Sequence, residues 1–446
     1  MVGAHRALGA ADKGGTRLNW EKRLEYVGLT DIGMRRSNNQ DAHTVVLASD
    51  LETWKKRGHF FMVADGMGAH AAGELASGLA VEGVPHLYHK YSDMSPPEAL
   101  QKAIQETNSK VHRKGQENAD FRNMGTTASM MLLLPQGAIV AHIGDSRVYR
   151  LREGNIEQLT FDHSLLWELR AAGQFSEDAE LAQAIPKNVI TRSLGPNSSV
   201  HADIEGPLPV RVGDTYLLCS DGLTGRIEDD ELASLLTNLP LEEAGQMLLD
   251  LANLRGGPDN ITVVLVKVVD EDLATPREVA EPIKIGYSRP KEIHPAIWAC
   301  TAACTLGAFV LMLTHNDTLA AVAVVGAVIA LLVGFISRSR SHQPGEALVN
   351  GRRLGKGPYA KAASPPCKAM ADRLTAIATE LRRSSAAANS RLDWSGFDKH
   401  VEAARESLEH GQPVGAISAY AHAFRAIMQS IRDNQNGHSS DSVLDL

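Results

Sequence analysis

Five acidic positions in the first 270 residues stand where an apolar run meets a turn. Phe60-Phe61-Met62-Val63-Ala64 runs into Asp65-Gly66-Met67-Gly68, and Ala141-His142-Ile143 runs into Gly144-Asp145-Ser146-Arg147. Tyr216-Leu217-Leu218-Cys219-Ser220 runs into Asp221-Gly222, Asp259-Asn260 immediately precedes the run from Ile261, and Asn39-Gln40-Asp41 follows Arg36. Taken singly, Asp-Gly after a strand is most often a turn, and Asp-Asn before one is a cap or an Asx turn. Together, apolar strands could aim all five at one sheet edge, where they would repel one another unless a cation neutralised them. Oxygen ligands of this kind suit Mg2+ or Mn2+, whereas zinc prefers His and Cys. Such a cluster can hold two ions, activate the water between them and neutralise a phosphoryl group during in-line displacement. Arg36 would supply the planar fork that grips phosphate oxygens.

The elements that must position these groups lie within 24–270. Phe60–Ala64, Ala128–Leu134, Ala138–Ile143, Val148–Leu151, Thr215–Cys219 and Ile261–Val269 read as strands, two of them joined by Pro135-Gln136-Gly137. Helical periodicity marks Ala71–His89, Pro97–Lys114, Leu165–Ala172, Asp230–Leu236 and Leu241–Leu254. Strands that often follow one another directly, with helices between, predict an α+β layer architecture with antiparallel sheet.

With 446 residues, 43% of them hydrophobic, the chain can build two or three domains. A net charge of −8 without a basic block argues against a nucleic-acid partner. Four cysteines without a CxxC pair indicate neither a zinc site nor a disulfide framework. Residues 1–23, rich in Gly and Ala, read as a disordered lead and not as a secretory signal. Residues 271–294 and 338–366 read as linkers. Between them, at 295–337, Ala296–Thr314 and Thr318–Ile336 are uncharged apolar runs of 19 residues each, separated by His315-Asn316-Asp317. As helices they would span roughly 28 Å, so a transmembrane hairpin is expected. Lys and Arg at both flanks and none in the turn place the catalytic domain and tail on the cytoplasmic side of the inner membrane. Stripes at helical spacing (Met370, Leu374, Ile377, Leu381; Phe397, Val401, Ala404, Leu408; Val414, Ile417, Ala421, Phe424, Met428, Ile431) predict a small all-α domain over 367–434. It could be a bundle, a dimerisation element or a weak tetratricopeptide-like unit. Residues 435–446 read as a disordered tail.

The ordered motifs resemble the metal-dependent protein phosphatases, the PPM or type-2C family, in their bacterial form. Arg36-Ser-Asn-Asn39-Gln40-Asp41 is similar to the first motif, and Val63-Ala-Asp65-Gly66-Met67-Gly68-Ala69-His70-Ala-Ala-Gly73-Glu74 to the signature stretch. Gly144-Asp145-Ser146-Arg147, Ser220-Asp221-Gly222 and Gly257-Pro258-Asp259-Asn260-Ile261-Thr262 match three more in order, and 159–165 and 188–195 also look like the family. The resemblance implies a four-layer sandwich of two antiparallel sheets flanked by helices. It implies that Asp65 bridges two Mn2+ or Mg2+ ions, that Gly66 ligates one through its carbonyl, and that Asp221 and Asp259 complete a shell. It implies further that Asp41 orients water or lies near the ions, that Asp145 with Asp221 holds a third ion, and that Arg36 binds substrate phosphate. Ala69 replaces a usual glycine and would be strained at positive φ. Met67 stands where eukaryotic relatives carry a histidine thought to be the general acid. That leaves His70, or a metal-bound water, as proton donor. Phe175–Lys187 corresponds to a mobile flap.

The expected activity is hydrolysis of phosphoserine and phosphothreonine by direct attack of water, with no phosphoenzyme. Substrates would include a membrane serine/threonine kinase or its targets, concentrated by anchoring. The competing reading is a membrane-bound pseudophosphatase that binds phosphoproteins and signals through its tail. Retention of every acidic position argues against it.

Overall fold

The structure, a computed structural model, describes residues 23–69, 71–173, 189–276, 283–285, 295–314, 316–340, 346–348, 354–388 and 392–441. Residues 1–22 of the lead expected over 1–23, the flap Phe175–Lys187 and residues 442–446 of the expected tail lie outside them, as do parts of both linkers. The chain divides into two compact units: Met1–Ser92, Ala99–Ala280 and Arg353–Leu446 form one, and Asp93–Glu98 with Glu281–Arg352 form the other.

The first unit holds two sheets. One runs in the order β1 (Leu24–Asp31), β11 (Ile261–Val268), β10 (Thr215–Cys219), β7 (Arg147–Arg152), β8 (Asn155–Gln158), β14 (Ala360–Ala363). The other runs β2 (Asp41–Val46), β3 (His59–Met67), β5 (Ala128–Leu134), β6 (Gly137–Ile143), β9 (Asp203–Leu208), with β4 (Gly125–Thr126) on the end of β3. Every pairing in both sheets is antiparallel. Side chains alternate across each strand. In β10, Tyr216 and Leu218 enter the core between the sheets with Phe61, Val63, Met131, Val140 and Val264. Leu217 and Cys219 point the other way, against Leu232, Leu235, Met247, Leu248 and Leu251 of helices Asp229–Asn238 and Leu241–Leu254. Burial on both faces is why this strand reads as an unbroken apolar run. Helix Ala72–Lys90 covers the far side of the second sheet, where Tyr88 meets Phe60 at 5.9 Å between ring centres. The result is the expected α+β sandwich of two antiparallel sheets flanked by helices.

Residues 354–441 do not form a separate domain. β14, inside the expected linker, extends the first sheet along β8, and Leu354 bridges to Gly206 of the second. Helices Cys367–Ala388, Ser395–Glu409 and Pro413–Asp441 bury Met370, Leu374, Phe397, Ile417, Tyr420 and Phe424 in the same cluster as Leu248 and Leu265. The stripes are where the spacing placed them, but they face the catalytic layer, because helices this small cannot enclose a core alone. The last helix passes the expected boundary at 434 and ends at Asp441.

In the second unit, helices Pro295–Leu313 and Asp317–Arg340 pack against each other, and Ile283–Ile285 (β12) pairs antiparallel with Glu346–Leu348 (β13). The two helices fall where the hairpin was expected, and among the described residues no helix is long and apolar enough to cross a membrane.

Candidate active site

Strand register brings the acidic groups together. Asp41, the first residue of β2, stands opposite Asp65 near the end of β3. Asp145 lies in the turn between β6 and β7. There Gly144 adopts φ +108°, and a Cβ on it would sit 2.6 Å from the Thr127 side chain. Asp221 opens the helical turn Asp221–Thr224 directly after β10, and Asp259 lies in the turn entering neighbouring β11. These ends meet at one edge of the sandwich, where Asp65 feels the charges of Asp41, Asp221, Asp145 and Asp259.

Burial first, and neighbouring carboxylates after it, raise Asp41, Asp65, Asp145 and Asp221 above the ordinary carboxylate range. Burial, with Asp221 and Asp259 adding to it, pushes Asp41 up to about 7 even though Ser220 and Thr262 donate to it. Burial, then Asp221 and Asp162, pushes Asp145 up to about 8. Asp65 is raised well above the usual value and Asp221 is raised, in each case by burial first and neighbouring aspartates next. Asp41 Oδ1 and Asp145 Oδ1 are buried without a hydrogen-bond partner. Among the described residues no three His, Cys, Asp or Glu side chains form a ready-made ion-binding group. The fit to divalent cations rests instead on carboxyls raised by burial and crowding and on the orphaned oxygens of Asp41 and Asp145. Gly66 fits a backbone ligand, because any Cβ there would lie 2.1 Å from the Gly73 carbonyl oxygen.

Supporting groups fix this arrangement. Ser220 Oγ donates to Asp41 Oδ2 at 2.7 Å and accepts the Thr262 amide at 2.9 Å, joining the sheets across the site. Asn260 Nδ2 donates to the carbonyls of Ile32 and Asn38, and its Oδ1 accepts the Gln40 amide, so one side chain clamps both ends of the loop bearing Arg36. Arg36 is half-exposed, with Nη2 2.8 Å from Asp259 Oδ2. Thr127 Oγ1 accepts the Asp65 amide. Arg147 grips Asp162 through Nε and Nη2 and lies over Trp167. These two residues, with Ser164 and Arg170, wall a cavity of about 310 Å3 that reaches Asp145 and Asp221.

The structure thus gathers Arg36, Asp41, Asp65, Gly66, Asp145, Asp221 and Asp259, while His70 lies outside the described residues. Strain at Ala69 does not arise. Among the described residues the positive-φ non-glycines are Asn123 and Glu153, and the unusual φ of this turn, +146°, falls on Gly68. Sequence reasoning assigned no role to Ser220 or Asn260, although both stand inside its motifs. A buried serine next to an aspartate at a strand end was the available signal.

The protein phosphatase 2C family model matches residues 34–250. Protein phosphatase PhpP of Streptococcus pneumoniae is 40% identical over 256 residues, covering 56% of this chain and 99% of that protein. Serine/threonine phosphatase stp of Listeria monocytogenes is 35% identical over 243 residues, covering 53% and 93%. Among solved structures, the Mycobacterium tuberculosis serine/threonine phosphatase PstP/Ppp is 33% identical, covering 56% of this chain and 100% of that one, with TM-score 0.48. The catalytic domain of PstP in complex with two manganese ions is also 33% identical, covering 56% and 99%, with TM-score 0.46. Aspartates crowded at one sandwich edge, and relatives matched over almost their whole length, lead to one assignment: the chain belongs to the protein phosphatase 2C family in its bacterial, PPM-type form, and is a protein serine/threonine phosphatase.

Proposed function

We propose that the chain hydrolyses phosphoserine and phosphothreonine in proteins by direct attack of water at a two-ion centre. The observation that carries this reading is the gathering of Asp41, Asp65, Asp145 and Asp221 at one sandwich edge, each raised by burial and by its neighbours, with Asp41 Oδ1 and Asp145 Oδ1 orphaned. Asp65, the Gly66 carbonyl, Asp221 and Asp259 would hold the two ions, and Asp145 with Asp221 would hold a third. When bound, the ions supply a nucleophilic water at neutral pH and offset charge on the phosphoryl oxygens. Asp41, fixed by Ser220, orients that water. Arg36 is exposed enough to leave Asp259 and donate its fork to the substrate phosphate. Arg147 is committed to Asp162 and forms wall rather than clamp. His70 is the candidate donor to the leaving serine oxygen, and an unchanged rate in His70→Gln would remove it from that role. No thiol competes, since Cys219 is buried in the helix-facing core and burial pushes its thiol further up. The test uses the full chain. Phosphate release from a phosphothreonine peptide should require Mn2+ or Mg2+, stop with chelator and vanish in Asp221→Asn. Binding without release would instead favour the pseudophosphatase.

The hairpin supports a further part of this reading: attachment to the inner membrane with the phosphatase in the cytoplasm, acting on phosphoproteins such as a membrane serine/threonine kinase. Leu306, Phe309, Met312, Leu313 and Val322 are apolar and more than half exposed, a patch that calls for a cover. Because no described helix is long and apolar enough to span, what is proposed is attachment. The full chain should float with liposomes and a 295–337 deletion should not; equal flotation would refute attachment through the hairpin.

A further inference from the structure

The helix Pro413–Asp441 carries Arg432 onto the catalytic layer. Arg432 Nη2 lies 2.7 Å from Asp31 Oδ2 and 3.8 Å from Asp250 Oδ1. Both carboxylates are largely buried, and Asp250 Oδ2 has no hydrogen-bond partner. Asp31 is the last residue of β1 and begins the loop that carries Arg36. Its other oxygen accepts the Gly33 amide at 2.9 Å and Asn253 Nδ2 at 3.0 Å. Beyond that turn, Met34 N donates to the Gly257 carbonyl, and Arg36 reaches Asp259. Gly33 packs so closely here that a Cβ would meet the Asp259 carbonyl oxygen at 2.2 Å. A continuous set of hydrogen bonds therefore joins the C-terminal helix to the phosphate-binding loop and to Asp259.

We propose that Arg432 is a positioning residue for the phosphatase reaction: by pinning Asp31 it fixes the turn that holds Arg36 in register with Asp259. Without Arg432, Asp31 loses its guanidinium partner and is left beside the Asp250 carboxyl, on which Arg425 still acts. Asp31 is then drawn toward water and away from Gly33 and Asn253, and the loop loses its first anchor. The group that suffers is Arg36, so the effect falls on phosphate capture more than on the chemical step. A misplaced clamp weakens binding by lowering the fraction of time it is in geometry.

The inference rests on Arg36 gripping the substrate phosphate, and one arm tests that alone: an Arg36→Ala enzyme with wild-type KM would sink that assignment whatever Arg432 does. For Arg432 itself, steady-state kinetics on a phosphothreonine peptide with the full chain should show Arg432→Gln raising KM about tenfold with kcat changed less than about twofold. Arg432→Lys, which keeps the charge and loses the fork, should fall between; it also serves if Arg432→Gln does not fold. Ser418→Ala is the control for mere docking of the helix, because it removes the 2.7 Å bond from Ser418 Oγ to Glu243 on helix Leu241–Leu254 without touching Asp31. It should leave KM unchanged. Wild-type KM in every Arg432 variant that folds, or an equal rise in Ser418→Ala, would overturn the proposal.

Discussion

Replacing Asp145 by Asn in the chelated protein should stabilise it, and increasingly so as pH rises. Asp145 is buried beside Asp221 and its carboxyl is pushed up to about 8 from an ordinary 3.8. The folded chain therefore keeps a proton that the unfolded chain gives up. A group raised in this way contributes its full stability below about 4 and loses it as pH climbs toward 8. From pH 5 to pH 8 the loss covers three units at roughly 1.4 kcal/mol each, on the order of 4 kcal/mol. Asn has nearly the same shape and no titration. The stability difference between Asp145→Asn and the parent should therefore grow by about that amount across the window. Buried His59 and His142, both pulled down to about 3, act in the opposite sense over pH 5–6.5. They are common to both proteins and cancel in the difference. The assay is guanidinium unfolding at pH 5, 6, 7 and 8 with EDTA present. A difference that stays constant with pH would refute the claim that this carboxylate lacks positive charge; Mn2+ should flatten the parent's slope.

Gly66→Ala should lower kcat at least about a hundredfold, since its Cβ would lie 2.1 Å from the Gly73 carbonyl oxygen and 2.6 Å from that of Gln40, forcing the strand end to shift. Phosphate release measures it. Asn260→Ala leaves the Ile32 and Asn38 carbonyls and the Gln40 amide without their partner, a loss of about 3 kcal/mol in denaturant unfolding that should come with a lower kcat/KM. A chain ending at 276 uncovers Leu235, Leu248 and their neighbours, which now pack on Phe397, Ile417 and Phe424. It should bind a hydrophobic dye and melt lower than the full chain.

The parts of the fold legible in the sequence were those buried on both sides. Ala128–Leu134 and Thr215–Cys219 end where their apolar runs end, because both faces of those strands need apolar cover. β1 (Leu24–Asp31) and β2 (Asp41–Val46) escaped notice: both are largely half-buried, and their polar residues dilute the pattern. β14 is Ala-Lys-Ala-Ala, poor in strand formers and placed by its pairing with β8 and the packing of Ala362 on the core. Asp65, Asp145 and Asp221 were legible because each sits where an apolar strand ends, and Asp259 because it stands just before one. Asp31 with Arg432 was not: 401 positions separate them, and no local spacing signals a contact formed only when a helix docks. The tail read as its own domain for a related reason. Periodicity shows that a helix has an apolar face and says nothing about which surface covers it.

The most direct measurement is the Mn2+ content of the full chain by equilibrium dialysis at pH 7.5, beside Asp65→Asn. Two ions per chain should bind to the parent, and the variant should lose at least one, with a weaker hold on any that remain. An unchanged content in Asp65→Asn, or none in the parent, would contradict the account.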